Sequence, residues 1–169
     1  MHRQGAAQTS LTDIATEAQV PVGSLYYYFK SKDDIVRAIV DERVRTLQEM
    51  ISQWNRHEAP LRRLDALIDV WVKDRDVDAR YGCPIGSLCY ELGKEGGPMR
   101  QKAAQPLRLL LDWSEQQFLG MGQTPAAARN CALHLITVLQ GISLVSNAFG
   151  DPQMTMRETR RLRAWLRDL

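Results

Sequence analysis

Long hydrophobic runs, strand patterns and an even number of cysteines are all missing from this 169-residue chain. No window holds eighteen uncharged apolar residues in succession, which argues against a membrane-spanning helix. The opening MHRQGAAQTS lacks the apolar stretch of a secretory signal. Three cysteines, Cys83, Cys89 and Cys131, make no disulfide framework and suit a reducing cytoplasm. Charge of one sign is not in excess: 22 Lys and Arg against 20 Asp and Glu leave +2, which excludes a long acidic or basic tail. His2, His57 and His134 are dispersed, with no metal-ligand spacing. Cys83 and Cys89, six apart, fall on different sides of a helix and make poor joint ligands. Internal repeats and low-complexity segments are absent too. No nucleophile with a base, metal set or phosphate loop is evident, so no enzyme and no cofactor are expected.

What is present is 44% apolar content, enough to fill a core, in a pattern that reads as helix throughout. Ser10 caps a short helix with Leu11, Ile14, Ala15 and Ala18 on its apolar side. Gln19-Val20-Pro21 breaks it, and a second short helix runs from Val22 to Phe29. Ser31-Lys32-Asp33-Asp34 is a variant capping box opening a helix to about Arg56, roughly 38 Å long at 1.5 Å per residue. Pro60 starts the next helix, whose stripe is Leu61, Leu64, Leu67, Ile68, Trp71 and Val72. A short helix spans about Pro84 to Lys94; another runs from Pro98 to Leu119, with Pro106 set to kink or split it. Thr124-Pro125 begins a helix to Phe149, and a last one covers about Thr155 to Asp168. The fold class expected is all-α.

Residues 10–29, SLTDIATEAQVPVGSLYYYF, have helix-turn-helix spacing. In that motif the start of the second helix meets base edges. Pro21, Val22, Gly23 and Ser24 are small there, so the backbone can approach DNA, and free N–H groups favour phosphate. Tyr26, Tyr27 and Tyr28 are consecutive, about 100° apart on a helix, so one or two must be exposed; phosphate or base contact gives a reason. On spacing alone, two core helices with an aromatic knuckle fit as well. Basic and acidic residues cancel over residues 1–45, so composition does not decide. The densest basic run, five arginines from Arg157 to Arg167, reads as a solvated helix face or a phosphate-binding tail.

Thr9-Ser10, Asp13-Ile14-Ala15, Gly23-Ser24-Leu25-Tyr26-Tyr27-Tyr28-Phe29 and Lys30-Ser31-Lys32-Asp33-Asp34-Ile35 together resemble the DNA-binding domain of the TetR/AcrR transcriptional regulators over about 35 residues. The resemblance implies a DNA-binding head (1–45, motif 10–29) and a ligand-binding, dimerising body (46–169). It implies that Thr9 or Ser10 donates to phosphate, that Pro21, Val22, Gly23 and Ser24 face the groove, and that Tyr26 and Tyr27 contact phosphates or a thymine methyl. Lys32 would clamp another phosphate, and Tyr28 stands where the family usually has histidine. Leu11, Ile14, Val20, Leu25 and Phe29 would hold the head together. Gln19 replaces a usual turn glycine and is expected in a left-handed conformation. Pro21 replaces a usual serine cap. The family also carries a helix of about fifteen residues before this motif, where this sequence has only Met1 to Ala7; a head without it would expose Leu11, Ile14 and Phe29 and bind DNA poorly.

In the body, CPIGSLCYEL at 83–92 resembles a stretch of one branch of the family. Trp71, Leu88, Tyr90, Trp113, Phe118, Leu139 and Trp54 fit either plain core or the walls of an apolar cavity, with Tyr90, Glu91, His134 and Gln140 as polar anchors. The effector expected is a hydrophobic or aromatic small molecule, contacted by Trp71, Leu88, Tyr90, Trp113, His134 and Gln140. Cys83, at a helix start, could sense electrophiles if its pKa were lowered; ordinary burial is the alternative. The helix Cys131–Phe149, with Leu135, Ile136, Leu139, Ile142, Leu144 and Val145, is apolar almost all round. It suits either a monomer core or, as the resemblance implies, a homodimer through about 124–169, to which Leu162, Trp165 and Leu166 would add a second stripe. The function that follows is a cytoplasmic regulator binding a palindromic double-stranded operator as a dimer and released by its effector. A helical ligand-binding or interaction protein that has lost DNA binding is the alternative.

Overall fold

Two capping boxes set the start of the chain. Ser10 Oγ accepts from Asp13 N while Asp13 accepts from Ser10 N, and Ser31 and Asp34 repeat the arrangement. The computed structural model describes residues 2–169, the Glu95 side chain excepted. Among these lie nine helices and no strand: α1 Leu11–Glu17, α2 Val22–Tyr28, α3 Lys32–Trp54, α4 Pro60–Tyr81, α5 Pro84–Glu95, α6 Gly97–Ala103, α7 Gln105–Gly120, α8 Pro125–Phe149 and α9 Pro152–Arg167. Proline at the first turn opens α4 to α9, where its missing N–H costs no hydrogen bond. Pro106 splits the expected 98–119 helix into α6 and α7. The last helix begins three residues before the expected Thr155, because Asp151 caps it, accepting from Gln153 N at 2.9 Å.

The head is α1, α2 and the start of α3, closed over Ala15, Leu25 and Ile35. Leu11, Ile14, Val22, Phe29 and Ile39 pack around these, half-buried. Gln19 is at φ 56°, the one described non-glycine residue with positive φ. Around it Val20 N donates to Ala15 O and Gln19 N to Thr16 O, the double-bonded helix stop that a left-handed residue makes possible. Residues 2–9 fold back as turns onto α5: His2 Nε2 donates to Gly82 O at 2.7 Å, Ala7 N to Glu91 Oε2 at 3.0 Å, and Ala6 is buried.

The body buries the inner faces of α4, α7, α8 and α9 around Leu64, Leu67, Ile68, Leu110, Phe118, Leu135 and Leu139, all inaccessible to solvent. Trp54 and Trp113 lie 5.1 Å apart, and Arg163 on α9 pairs with Asp65 and Asp69 on α4. Two helices differ from expectation. On α9, Leu162 and Leu166 point into this core, 3% and 1% exposed, and add nothing to an outer stripe. On α8, Leu135, Ile136, Leu139 and Ile142 face inward, while Leu133, Leu144, Val145 and Phe149 are exposed. By length and composition α8 is able to cross a membrane, a candidate that the absence of an unbroken apolar run had excluded; here its inner face packs in the core and carries Ser143 and Ser146. The 23-residue α3, about 35 Å long, belongs to both parts: Ile35 sits in the head, Leu47 and Trp54 in the body.

Candidate nucleic-acid interface and effector cavity

The second motif helix offers one open surface. Leu25 is buried, so the residues flanking it turn outward. Tyr26, Tyr27 and Tyr28 are 50%, 74% and 75% exposed, with the rings of Tyr27 and Tyr28 edge to face at 5.1 Å. Pro21, Gly23 and Ser24 are exposed and Val22 half-buried. Nothing lies within 4 Å of where a Gly23 side chain would start. Pro21 makes no side-chain cap, as its lack of an acceptor dictates. Lys30, not singled out from sequence, donates from Nζ to Tyr26 O and Tyr27 O at 3.2 and 3.0 Å and lies 5.7 Å from the Tyr27 ring centre. A lysine just past a helix C-terminus was the signal for it.

Thr9 is a correction. It is 2% exposed and its Oγ1 donates to Gly5 O at 2.6 Å, so this hydroxyl is spent inside the head. Ser10 is exposed, with its hydroxyl donating to Asp13 Oδ2 at 2.7 Å. The backbone N–H of Ser10, and then its hydroxyl, hold the Asp13 carboxyl below the usual range. Lys32 is half-buried; Nζ donates to Ala7 O at 2.9 Å and keeps two further protons for another acceptor.

The body holds a cavity of about 190 Å³ between α3, α4 and the start of α5, with Leu110 of α7 at its side. Its walls are largely apolar, including Leu47, Met50, Trp54, Leu67 and Trp71. Asp78, 6% exposed, also lines it. Trp71 Nε1 donates to Ser143 Oγ at 2.8 Å, and Ser143 Oγ donates to Asp78 Oδ2 at 2.9 Å. Burial pushes the Asp78 carboxyl above its ordinary pKa and Asp74 adds to this; Ser143 and His2 oppose it. Asp78 follows Trp71 by seven residues and so falls on the buried stripe of α4, which was its signal in the sequence.

Of the six expected effector contacts, only Trp71 lines this cavity. Tyr90 is 69% exposed, with Lys94 Nζ 4.3 Å from its ring centre, because α5 turns that face to solvent. His134 is exposed on α8 and meets the edge of Trp165 at 4.6 Å. Trp113 is spent on Trp54 and donates to Asn55 Oδ1 at 3.0 Å. Leu88 packs in a separate cluster with Val36, Leu92, Met99 and Ala103. Gln140 stands behind the wall: Nε2 donates to Cys83 Sγ at 3.6 Å, and its Oε1 lies so close to Gly86 that a side chain there would collide with it. Glu91 holds the N-terminal turns instead of a ligand. Burial pushes the Cys83 thiol up, and burial, then Cys83, pushes Cys89 up to about 11, so neither is a poised thiolate.

A capped two-helix motif with exposed tyrosines, joined through one long helix to a cavity-bearing helical body, defines a helix-turn-helix transcriptional regulator. Residues 1–39 match the family model described as bacterial regulatory proteins, tetR family. An uncharacterised HTH-type transcriptional regulator in the lacX 3' region of Lactococcus lactis is 27% identical over 164 residues, covering 88% of this chain and 83% of that protein. An uncharacterised HTH-type regulator of Mycobacterium tuberculosis is 29% identical over 158 residues, covering 89% and 80%. The fold is shared with a TetR transcriptional regulator from Legionella pneumophila (TM-score 0.84, 17% identity, 99% of this chain and 89% of that one). It is shared also with a TetR family regulator from Agrobacterium tumefaciens (TM-score 0.82, 23% identity, 96% of this chain and 89% of that one). The chain thus matches the tetR family model over its first 39 residues, is similar to HTH-type transcriptional regulators along most of its length, and shares the fold of solved TetR structures.

Proposed function

We propose that this regulator is a cytoplasmic, non-enzymatic repressor that binds a palindromic operator as a homodimer and leaves it when a small effector fills the body cavity. The head, taken as residues 1–45, would read one half-site, and a two-fold dimer doubles the sequence read. Ser10, Gly23, Ser24, Tyr26, Tyr27, Tyr28 and Lys32 are the contacts that exposure supports, with Pro21 and Val22 beside them. The dimer would form through the outer face of α8, where Leu144, Val145 and Phe149 are bare, beside α9.

The observation that carries the effector reading is that α3 serves both parts. Its Lys32 end belongs to the head, and its Leu47, Met50 and Trp54 line the cavity. A ligand that pushes on those side chains tilts α3 and changes the spacing of the two heads. It shifts the balance only by its differential affinity for the two arrangements.

The test is fluorescence anisotropy of the purified chain on DNA from upstream of its own gene, titrated with salt. Tight, sequence-selective binding is expected, and Tyr27→Phe should cost about 1 kcal/mol. Lys32→Ala should weaken binding and flatten the salt slope by about one unit. Weak, sequence-blind binding that neither variant changes would favour a ligand-binding protein without DNA affinity.

A further inference from the structure

We propose that the cavity of the body takes a small organic cation, a protonated amine or quaternary ammonium carried on a single apolar or aromatic ring. The proposal rests on the effector reading above and narrows it to a chemical class.

Size sets the first limit. At about 190 Å³ the cavity is a little larger than the roughly 150 Å³ engineered void that accepts benzene. One ring with a short arm fits inside it.

Charge sets the second. Asp78 is 6% exposed, yet it takes part in no ion pair among the described residues. Its Oδ2 accepts from Ser143, and no donor among the described residues reaches Oδ1. Asp74, one turn earlier on α4, lines the same cavity and is likewise outside every ion pair described. The cation at the rim, Arg43, pairs with neither, and the charges that act on Asp78 are those of Asp74 and His2. A carboxylate this desolvated, with no paired cation in contact and only His2 nearby to offset Asp74, is costly to keep charged, and a bound cation supplies the missing ion pair.

The walls agree with this. Trp54 and Trp71 both border the space, and indole faces attract cations. The thioether of Met50 adds a polarisable contact. A neutral ligand of the same shape would leave Asp78 without an ion-pair partner, and an anion would be repelled by both aspartates. Ser143, held by Trp71, fixes the carboxylate so that it meets the ligand already oriented.

Three probes of one shape test this: phenethylammonium, 2-phenylethanol and phenylacetate, each titrated into the full chain by calorimetry and tryptophan fluorescence. The cation should bind at least about tenfold tighter than the alcohol, with the anion weakest. Asp78→Asn should erase the preference for the cation and leave binding of 2-phenylethanol intact. Asp74→Asn should reduce it in part. Equal affinity for cation and alcohol in the unaltered chain, or no binding by any probe, overturns the proposal without reference to a variant's folding. The same probes added to the DNA complex separate the two readings. Release of DNA by the alcohol or the acid, with no advantage for the cation, would keep effector control and discard the cation. Asp78-dependent cation binding that leaves DNA affinity unchanged would keep the cation site and discard effector control.

Discussion

Trp71 on α4 donates its indole N–H to the hydroxyl of Ser143 on α8 at 2.8 Å, deep in the body. The same hydroxyl donates onward to Asp78, so one serine satisfies a donor and an acceptor of the cavity wall at once. Ser143→Ala strands both. A buried polar group left without its partner costs about 1–3 kcal/mol. The melting temperature should therefore fall by about 2–12 °C for a chain of this size, and the tryptophan fluorescence should shift. A melt unchanged within about 1 °C would mean that the relay carries no stability.

Asp78 should make stability depend on pH in a defined direction. Burial holds its carboxyl pKa above the unfolded value of 3.8. The folded chain then binds the proton more tightly than the unfolded chain, and stability attached to this group is lost as pH rises through the folded pKa. Asp78→Asn removes the dependence, so the variant should gain on the parent between pH 4 and neutrality. Asp74, His2 and Cys83 share the neighbourhood, so His2→Gln serves as the background in which both are compared. Denaturant midpoints across that range give the answer; a gap that narrows with rising pH would reverse the assignment.

Gln19 sits in left-handed backbone at φ 56°. That conformation costs an ordinary residue about 1–2 kcal/mol, while glycine loses part of the benefit as unfolded-state entropy. Gln19→Gly should stabilise the head by about 0.5 kcal/mol. Gln19→Val should destabilise it by more than that, because a branched Cβ suits this region least. Amide hydrogen exchange of α1 reads the difference; equal protection in the two variants would mean that the turn does not limit the head.

The outer face of α8 makes a prediction about assembly. Leu144 and Phe149 are 71% and 73% exposed, so they contribute little to the fold of one chain. Leu144→Asp with Phe149→Asp should leave circular dichroism unchanged and convert a dimer to a monomer by light scattering. Operator affinity should fall with it, since each head alone reads half the site. A double variant that stays dimeric would move the interface elsewhere.

The local signals carried the head well. Ser10 and Ser31 are followed three residues later by aspartates, and each makes the capping box its spacing announces. Of three consecutive tyrosines following Leu25, at least one or two had to be exposed, since 100° steps forbid a shared buried face, and all three are. Gln19 at a turn position takes the left-handed geometry that the motif requires. These are relations within a few residues, set by backbone sterics and hydrogen-bond reach.

The sequence by itself determined the helices and their breaks at Pro84, Pro98, Pro106 and Pro125, because each depends on period, cap and imino ring; at 10–29 spacing gave two short helices and a turn, and only the motif resemblance chose a helix-turn-helix over a core hairpin. Only the tertiary structure decided which aromatic residues meet empty space. Tyr90, Trp113 and His134 carry the right chemistry but were turned outward or spent on Asn55, Trp54 and Trp165. Spacing from Trp71 put Asp78 on the buried stripe of α4, but its place in the cavity wall came from the packing of α3, α4 and α8. Helical period fixes which residues share a face; it does not fix which face meets which neighbour, and that choice comes from the summed packing of helices distant in sequence.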